Sequence, residues 1–512
     1  MGFILDNVIV ELLCCCLLLL ILMYCYVTKN YNYWEKRGVP CVKAKFPFGS
    51  SKDMVFEKYC SAKAHDKFYK QFTKHRFYGM IDFVKPLLVI TDPDLIKMVT
   101  VKDFQHFTDR PQAVADPKES TFLGLFGLRG KAWKDTRAKI TPIFTTSKIK
   151  AMFEFVDNNC NMLVQRLETE NGKEINATNI FARFIIDIST CYIYGLESNS
   201  LNDQNDIFFK TLGGVAKTTK FRFVKRLIVI YSALVKTVTF KLISQEVKDL
   251  IINTVRNVVE YKLKTNTERN DMVGYMVKMA NIEISTTEEN TNPTMKSEPL
   301  QDSTIEQISA HTFSLLIGGY ESSTSNMTFC LYELSRHQDI QEKLYQEIRQ
   351  AMEKNAGRFS YDTLKNISFL DQVFKETLRS YGTTQGITRI CTLPYQVPGT
   401  NLVLEKGHRI LVPVYSLHHD PRYYPDPYEF QPERFTSEVS KERHRSLFMP
   451  FGDGPRKCIG ERIGHVLTKI GIATVILNFR VEISSSQGPI EIHPYAVALQ
   501  PAKPVWLKFI KR

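Results

Sequence analysis

Near the carboxyl end, a lone cysteine sits in a glycine-rich loop that runs straight into a helical pattern. The loop reads Phe451, Gly452, Asp453, Gly454, Pro455, Arg456, Lys457, Cys458, Ile459, Gly460, and from Glu461 onward Ile463, Val466, Leu467 and Ile470 recur at helical spacing. A sulfur placed there meets the free N–H groups and the positive dipole end of the helix, which favour a thiolate. The glycines let the backbone come close to a flat ligand. Such a loop can hold a haem iron through its thiolate. A chain of 512 residues has room for the large body this requires, so small disulfide scaffolds and short peptide modules are excluded.

The other ten cysteines do not compete for that role. All eleven are scattered, their number is odd, and no C-x-x-C pair occurs, which argues against a disulfide framework or zinc module and for a reducing compartment. The hydrophobic fraction of 44% and the 33 Phe, 23 Tyr and 3 Trp are those of a globular protein with a large apolar interior. The 67 Lys and Arg against 54 Asp and Glu give +13, which by itself fits nucleic acid, an anionic membrane or an acidic protein partner.

Residues 8–27 carry a single charge, Glu11, and as a helix would reach about 30 Å, the thickness of a hydrocarbon core. A cleaved signal peptide needs a basic leader and small residues at its end, whereas Asp6 and Glu11 lead here and Tyr24, Cys25 and Tyr26 close. The segment therefore reads as a retained anchor over residues 1–28. Lys29, Lys36, Arg37, Lys43 and Lys45 follow it and none precedes it, so the body is expected on the cytoplasmic side. Residues 29–50, with Gly38, Pro40, Pro47 and Gly49, read as a hinge, and residues 51–512 as one catalytic body, mainly α with small β-sheets. Cys14, Cys15 and Cys16 read as apolar filler rather than lipid attachment sites. An apolar run at 227–230, bordered by Lys217, Lys220, Arg222, Lys225 and Arg226, fits a buried helix or an interfacial segment equally.

Three further patterns gain meaning together. Glu376 and Arg379 stand at i and i+3 on one helix face, and Pro432, Glu433, Arg434 and Phe435 follow downstream. Trp133 and Arg137, at i and i+4, can direct an indole N–H and a guanidinium at the same haem propionate. A long helical run opens with a capping box at Ser303 and Glu306 and reaches Ile317, Gly318, Gly319, Tyr320, Glu321, Ser322 at its middle. Two glycines inside a helix cost roughly 2 kcal/mol against alanines, a cost borne where carbonyls and water need room.

These motifs, in this order, resemble the cytochrome P-450 superfamily of haem-thiolate monooxygenases, with further likeness to insect microsomal enzymes of the detoxification type in residues 133–145. The resemblance implies that Cys458 is the axial ligand of haem b, and that Phe451, Gly454, Arg456 and Gly460 complete its loop. Trp133, Arg137, Arg389 and Arg456 are then assigned to the cofactor, and Glu376, Arg379 and Arg434 to a buried structural network. Glu321 becomes the acid and Ser322 the alcohol that deliver protons during oxygen activation, Ser322 standing where threonine is usual. Gly382 stands among residues where relatives carry prolines and is expected to end its helix. Phe107, Phe122, Phe126, Phe313, Leu316, Ile317, Thr384, Ile387, Val497 and Leu499 fall near the family's substrate-recognition stretches, implying an apolar pocket. The pair His418 and His419 is read as structural, not metal-binding.

On this reading the basic balance serves an electron donor rather than nucleic acid. Lys131, Lys134, Lys139, Lys441, Arg443, Arg445 and Lys457 fall in segments the family exposes on its proximal face, where an acidic partner docks. The implied partners are NADPH–cytochrome P-450 reductase and, as a second donor, cytochrome b5, both at the endoplasmic-reticulum membrane, with O2 and NADPH as co-substrates. A reductase-independent haem-thiolate isomerase or dehydratase would not need Glu321, Ser322 or the basic face. A non-catalytic haem or lipid binder has only Ser322 and the altered Gly382 region in its favour.

Overall fold

The structure is a computed structural model that describes residues 2–56, 60–111, 124–216, 243–265, 271–287, 301–494 and 498–512. Phe122, Val497 and the basic-rimmed run at 217–238 lie outside these residues. The helices that matter for the site are α1 (Gly2–Thr28), α2 (Gly130–Ile140), α3 (Ala177–Tyr194), α4 (Asp302–Arg336), α5 (Ser368–Tyr381) and α6 (Glu461–Asn478). The strands are β1 (Phe77–Asp82), β2 (Lys85–Ile90), β3 (Glu174–Asn176), β4 (Ile387–Ile390), β5 (Arg409–Val412), β6 (Phe479–Ile483) and β7 (Trp506–Lys511), with a small antiparallel pair at Tyr395–Gln396 and Val403–Leu404. The body is thus mainly α with small sheets.

Helix α4 is the axis. Its 35 residues extend about 52 Å, and every residue from 323 to 335 is buried. It packs on α3 and α6, and the closest approach is set by Gly471 of α6: a Cβ there would lie 2.7 Å from Met327 Sδ and 2.9 Å from Phe184 Cε1. Hydroxyls buried on α4 turn back onto the helix, as when Thr328 Oγ1 donates to the Thr324 carbonyl at 2.8 Å. The capping box expected at Ser303 does not form. The helix starts two residues earlier, with Gln301 as N-cap and Asp302 in the first turn, where its carboxylate suits the dipole and pairs with Arg256 at 3.1 Å.

The first sheet runs β1-β2-β5-β4, with β2 and β5 parallel and Leu88 facing Ile410. Alternate residues serve two cores: Leu88, Ile90, Ile410 and Val412 pack on one face, and Tyr78, Met80, Leu87, Val89 and Leu411 on the other. Burial on both faces explains why β2 reads as a continuous apolar run. The second sheet, β3-β7-β6, closes the far end.

Among the described residues, Val8–Thr28 is the one helix long and apolar enough to cross a bilayer. The segment after it is no loose hinge. Trp34 is 1% exposed, its indole donates to the Met80 carbonyl at 2.9 Å, and a Cβ on Gly79 would fall 2.2 Å from its Cγ. Val27 is already buried, and Asn30 Nδ2 donates to the Val84 carbonyl at 2.7 Å. Aromatic burial overrides the turn-forming Gly and Pro and fastens residues 29–50 to the first sheet.

Beneath the cysteine loop lies a fully buried ion pair. Arg379 Nε and Nη2 bond the two Glu376 carboxylate oxygens at 2.7 and 2.8 Å, both side chains having no exposure. Its Nη1 donates to the carbonyls of His418 and Pro427 at 2.9 and 2.8 Å, and Glu376 accepts the Gln431 N–H at 2.9 Å. Arg434 stands 3.5 Å from the same carboxylate and donates to the Asp426 carbonyl at 2.8 Å. Helix α5 is thereby tied to residues 418–434. Gly382 does end α5, though not in a left-handed turn; a Cβ there would lie 2.2 Å from the Leu378 carbonyl.

Replacing Arg379 by leucine strips the buried Glu376 carboxylate of its two-point partner and leaves it only the Gln431 N–H and the more distant Arg434. Urea denaturation of Arg379→Leu is expected to show a loss of about 3–5 kcal/mol, with haem content falling in parallel.

Candidate active site

The cysteine loop is shaped by two left-handed glycines, Gly452 at φ +76° and Gly454 at φ +69°. Gly454 is the more constrained, since a Cβ there would sit 1.8 Å from the Thr100 carbonyl oxygen. The loop closes when the Cys458 N–H donates to the Phe451 carbonyl at 2.9 Å, and the Phe451 ring lies 5.2 Å from that of His465 on α6. Gly460 is the N-cap of α6, and a Cβ on it would be 4.0 Å from both Cys458 Sγ and Phe144 Cε1. Thr384 Oγ1 donates to the Pro450 carbonyl at 2.6 Å and holds the loop from below.

Cys458 is at once solvent-accessible and surrounded by protein, the combination of a side chain that opens onto internal space. Burial pushes its thiol up, against the pull of the Gly460 N–H and the charges of Arg137 and Arg110. A cation ligating the sulfur reverses that balance by deprotonating it outright.

Around it stand five guanidinium groups. Arg389 and Arg456 are each held down to about 9, first by burial and then by neighbouring arginines, Arg110 for both and also Arg137 and Arg129 for Arg456. Burial likewise lowers Arg110 and Arg137, and the Cys458 charge opposes this. Asp109 and Asp453 bring opposing carboxylates to this cluster. Arg389 Nε is buried without a hydrogen-bond partner. This orphaned, repulsive cluster beside a thiol fits a haem with its propionates toward the arginines.

The members differ in posture. Arg456 donates to the Thr108 and Leu128 carbonyls at 2.9 and 3.1 Å and stacks 3.8 Å above the Trp133 ring, so it ties the loop to α2. Arg137 lies one turn along α2 on the same side, half-buried. Arg110, which sequence reasoning missed, donates to the Arg456 carbonyl at 3.0 Å and lies over the Phe126 ring. Arg129, also missed, donates to the Arg110 carbonyl at 3.0 Å. In sequence both look like surface arginines, since no regular spacing links them to Cys458.

On the distal helix, Gly318 and Gly319 lie in the part of α4 that is incompletely buried, and a Cβ on either would meet nothing within 4 Å. Ser322 follows Gly318 by one turn, and its Oγ donates to the Gly318 carbonyl at 2.7 Å. Glu321 is half-buried beside it. Of the residues assigned to a pocket, Phe126 is exposed, Ile317 half-buried, and Phe313 and Leu316 buried in the main core. Phe107 packs edge-on to Tyr395 at 4.9 Å, Ile387 joins the same core, and Leu499 lies in a small cluster with Cys60 and Ala62.

His418 Nε2 accepts the Met449 N–H at 3.1 Å, and burial holds His418 far below its usual range. No group of three metal-ligating side chains occurs among the described residues. Lys131, Lys134, Lys139, Lys441 and Arg445 are exposed, with Lys131 paired to Asp135 one turn along α2, and Lys457 pairs with Glu461 at 2.7 Å. Arg443 packs on Tyr424 and Phe435 and donates to the Arg434 carbonyl, so it serves the fold rather than the surface.

A thiol loop at the head of α6, an arginine cluster suited to propionates and a distal helix left open at its glycines define a haem-thiolate protein. The cytochrome P450 family profile matches residues 54–509, and the chain belongs to that family. It is 34% identical over 479 residues to the probable cytochrome P450 6a14 of Drosophila melanogaster, covering 91% of this chain and 92% of that one. It is 31% identical to cytochrome P450 6a2 of the same fly, covering 95% and 96%, and 30% identical to cytochrome P450 6j1 of Blattella germanica, covering 99% of each. Family membership makes the chain a haem-thiolate monooxygenase that uses O2, a redox partner and a hydrophobic substrate.

Three variants probe the site. Gly452→Ala bears only the left-handed backbone, about 1 kcal/mol, while Gly454→Ala also collides with Thr100; haem-to-protein ratios of the purified variants are expected to fall far more for Gly454→Ala. Arg389→Gln removes repulsion from the haem-free protein and a donor from the loaded one. Calorimetry of the haem-free variant is expected to give a higher Tm than wild type, and haem transfer to apomyoglobin is expected to be about tenfold faster.

Proposed function

We infer that the chain is a microsomal monooxygenase, anchored by α1 with its body on the cytoplasmic side, that inserts one atom of O2 into an apolar small molecule. Its electrons come from NADPH through NADPH–cytochrome P-450 reductase, with cytochrome b5 as a second donor. The observation that carries this reading is the alignment of Gly318 and Ser322 on one side of α4, with open space at the glycines and a hydroxyl one turn on.

When bound, haem supplies dioxygen binding and reduction, and its thiolate ligand favours O–O cleavage. Cys458 gives that thiolate, held by the Gly460 N–H at the head of α6. Trp133, Arg110, Arg137, Arg389 and Arg456 would hold the propionates. Gly318 and Gly319 leave room for water beside the helix, and the Ser322 hydroxyl can turn from the Gly318 carbonyl to such a water and pass a proton along it. Glu321 resupplies that proton, and the apolar walls limit water to this path. Exposed Lys131, Lys134, Lys441 and Arg445 offer an acidic reductase a docking face. The basic residues after α1 support the cytoplasmic placement.

The full chain, reduced and treated with carbon monoxide, is expected to show the red-shifted Soret band of thiolate ligation, lost in Cys458→Ala. NADPH consumption in reconstituted membranes is then expected to require the reductase and to rise with an apolar substrate. A thiolate band with reductase-independent turnover of organic peroxides instead identifies an isomerase or dehydratase. Serine lacks the packing methyl of threonine, so Ser322→Thr is expected to lower peroxide released per NADPH; an unchanged ratio defeats that packing argument.

A further inference from the structure

A cleft of about 580 Å³ lies between the Ser61–Tyr69 helix, the end of α5 and the segments that carry His419, Phe430 and Leu499. That volume suits a small-molecule ligand. The cleft is separate from the haem site. Among its described lining residues only Glu333 belongs to α4, eleven residues beyond Ser322 and so about 16 Å along the axis, and none belongs to the cysteine loop or the arginine cluster. Leu499, which the resemblance placed near the substrate, lines this cleft.

One side of the cleft is apolar. Leu499 and Ile492 pack with Tyr415, the Tyr415 ring stacks on that of His419 at 4.1 Å, and Phe430 adds a further ring to the wall, so a flat aromatic body is matched there. On the polar side the charges largely satisfy one another: Lys70 pairs with Asp66 at 2.7 Å, Lys67 with Asp53 at 2.9 Å and Glu333 with Arg336 at 3.2 Å. Lys63, which is exposed, has no ion pair among the described residues. His419 is only 4% exposed and uses one nitrogen in the fold, its Nδ1 donating to the Tyr415 carbonyl at 2.8 Å.

The other nitrogen defines what the cleft can take. Burial holds His419 down at about 3, so the ring is neutral, and with the proton on Nδ1 its Nε2 carries a lone pair and only accepts. That Nε2 has no hydrogen-bond partner among the described residues and is not sealed in protein. The charges of Lys63 and Lys70 both act on His419, which puts their ammonium groups on its side of the cleft. An ammonium only donates. The single group that donates to the imidazole and accepts from the ammonium is a hydroxyl: a carboxylate or ketone has no proton to give, and a protonated amine meets the lysine charge.

We propose that this cleft is a second ligand site, apart from the haem pocket, for an apolar aromatic molecule bearing one hydroxyl, which donates to His419 Nε2 and accepts from Lys63 while its body rests on Tyr415, Phe430, Ile492 and Leu499.

The test uses the haem-loaded full chain in nanodiscs, its haem pocket first filled with clotrimazole, and empty nanodiscs as the baseline. Equilibrium dialysis compares naphthalene, 1-methoxynaphthalene and 1-naphthol. Wild type is expected to take up one equivalent of 1-naphthol, about tenfold tighter than either analogue, with the azole-ligated haem spectrum unchanged. His419→Asn, whose amide can still donate to the Tyr415 carbonyl, is expected to abolish that preference, Lys63→Met to reduce it about threefold, and Leu499→Trp to exclude all three probes. No saturable 1-naphthol binding, displacement of the azole by 1-naphthol, or a preference that survives in His419→Asn overturns the proposal. So does a preference unchanged in Lys63→Met, and because Lys63 is exposed that variant keeps the fold and decides the matter where His419→Asn loses its haem.

Discussion

The Glu376–Arg379 pair is the interaction on which the site depends. Two fully desolvated charges would be costly alone, but here each remaining valence is filled: the guanidinium reaches the His418 and Pro427 carbonyls, and the carboxylate takes the Gln431 N–H. The pair therefore fixes the 418–434 segment against α5. His418 in turn accepts the Met449 N–H, and Thr384 holds the Pro450 carbonyl. Gly454 can then lie against Thr100 and aim Cys458 at internal space. Each step hands a fixed backbone to the next, so geometry at the sulfur originates at residues 376–379, far upstream of its own loop.

The arginine cluster works in the opposite sense. Arg110, Arg129, Arg137, Arg389 and Arg456 repel one another and leave an orphaned Nε, a cost the body sustains because its large core and central α4 over-determine their positions. Such an arrangement is poor for the haem-free protein and good for retaining an anionic ligand. Stability and binding are set against each other at the same five side chains.

How much of this the sequence disclosed follows from how local each signal is. The cysteine loop, the Glu376 and Arg379 spacing and the glycines of α4 are local patterns, and each occupies the element its spacing implied. Helix α4 was legible as a helix but not in its first residue, because Asp302 and Arg256 meet only in the folded chain. Arg110 and Arg129 could not be singled out, since their roles come from lying against Arg456, over three hundred residues away. Residues 29–50 looked like a hinge because glycines and prolines are visible in sequence, whereas the groove that Gly79 opens for Trp34 is not. Phe107, Ile387 and Leu499 show the converse limit: apolar side chains near a cavity and those in ordinary core share one composition.

The seating of Trp34 has a mechanical consequence. With Val27 buried, Asn30 bonded to Val84 and the indole locked over Gly79, little free chain separates the end of α1 from the first sheet. Once α1 lies in a bilayer, the body cannot swivel or lift away independently of it. The helix axis then sets the height and tilt at which every opening of the body meets the lipid, so changing the length of α1 would re-aim those openings rather than merely lengthen a tether.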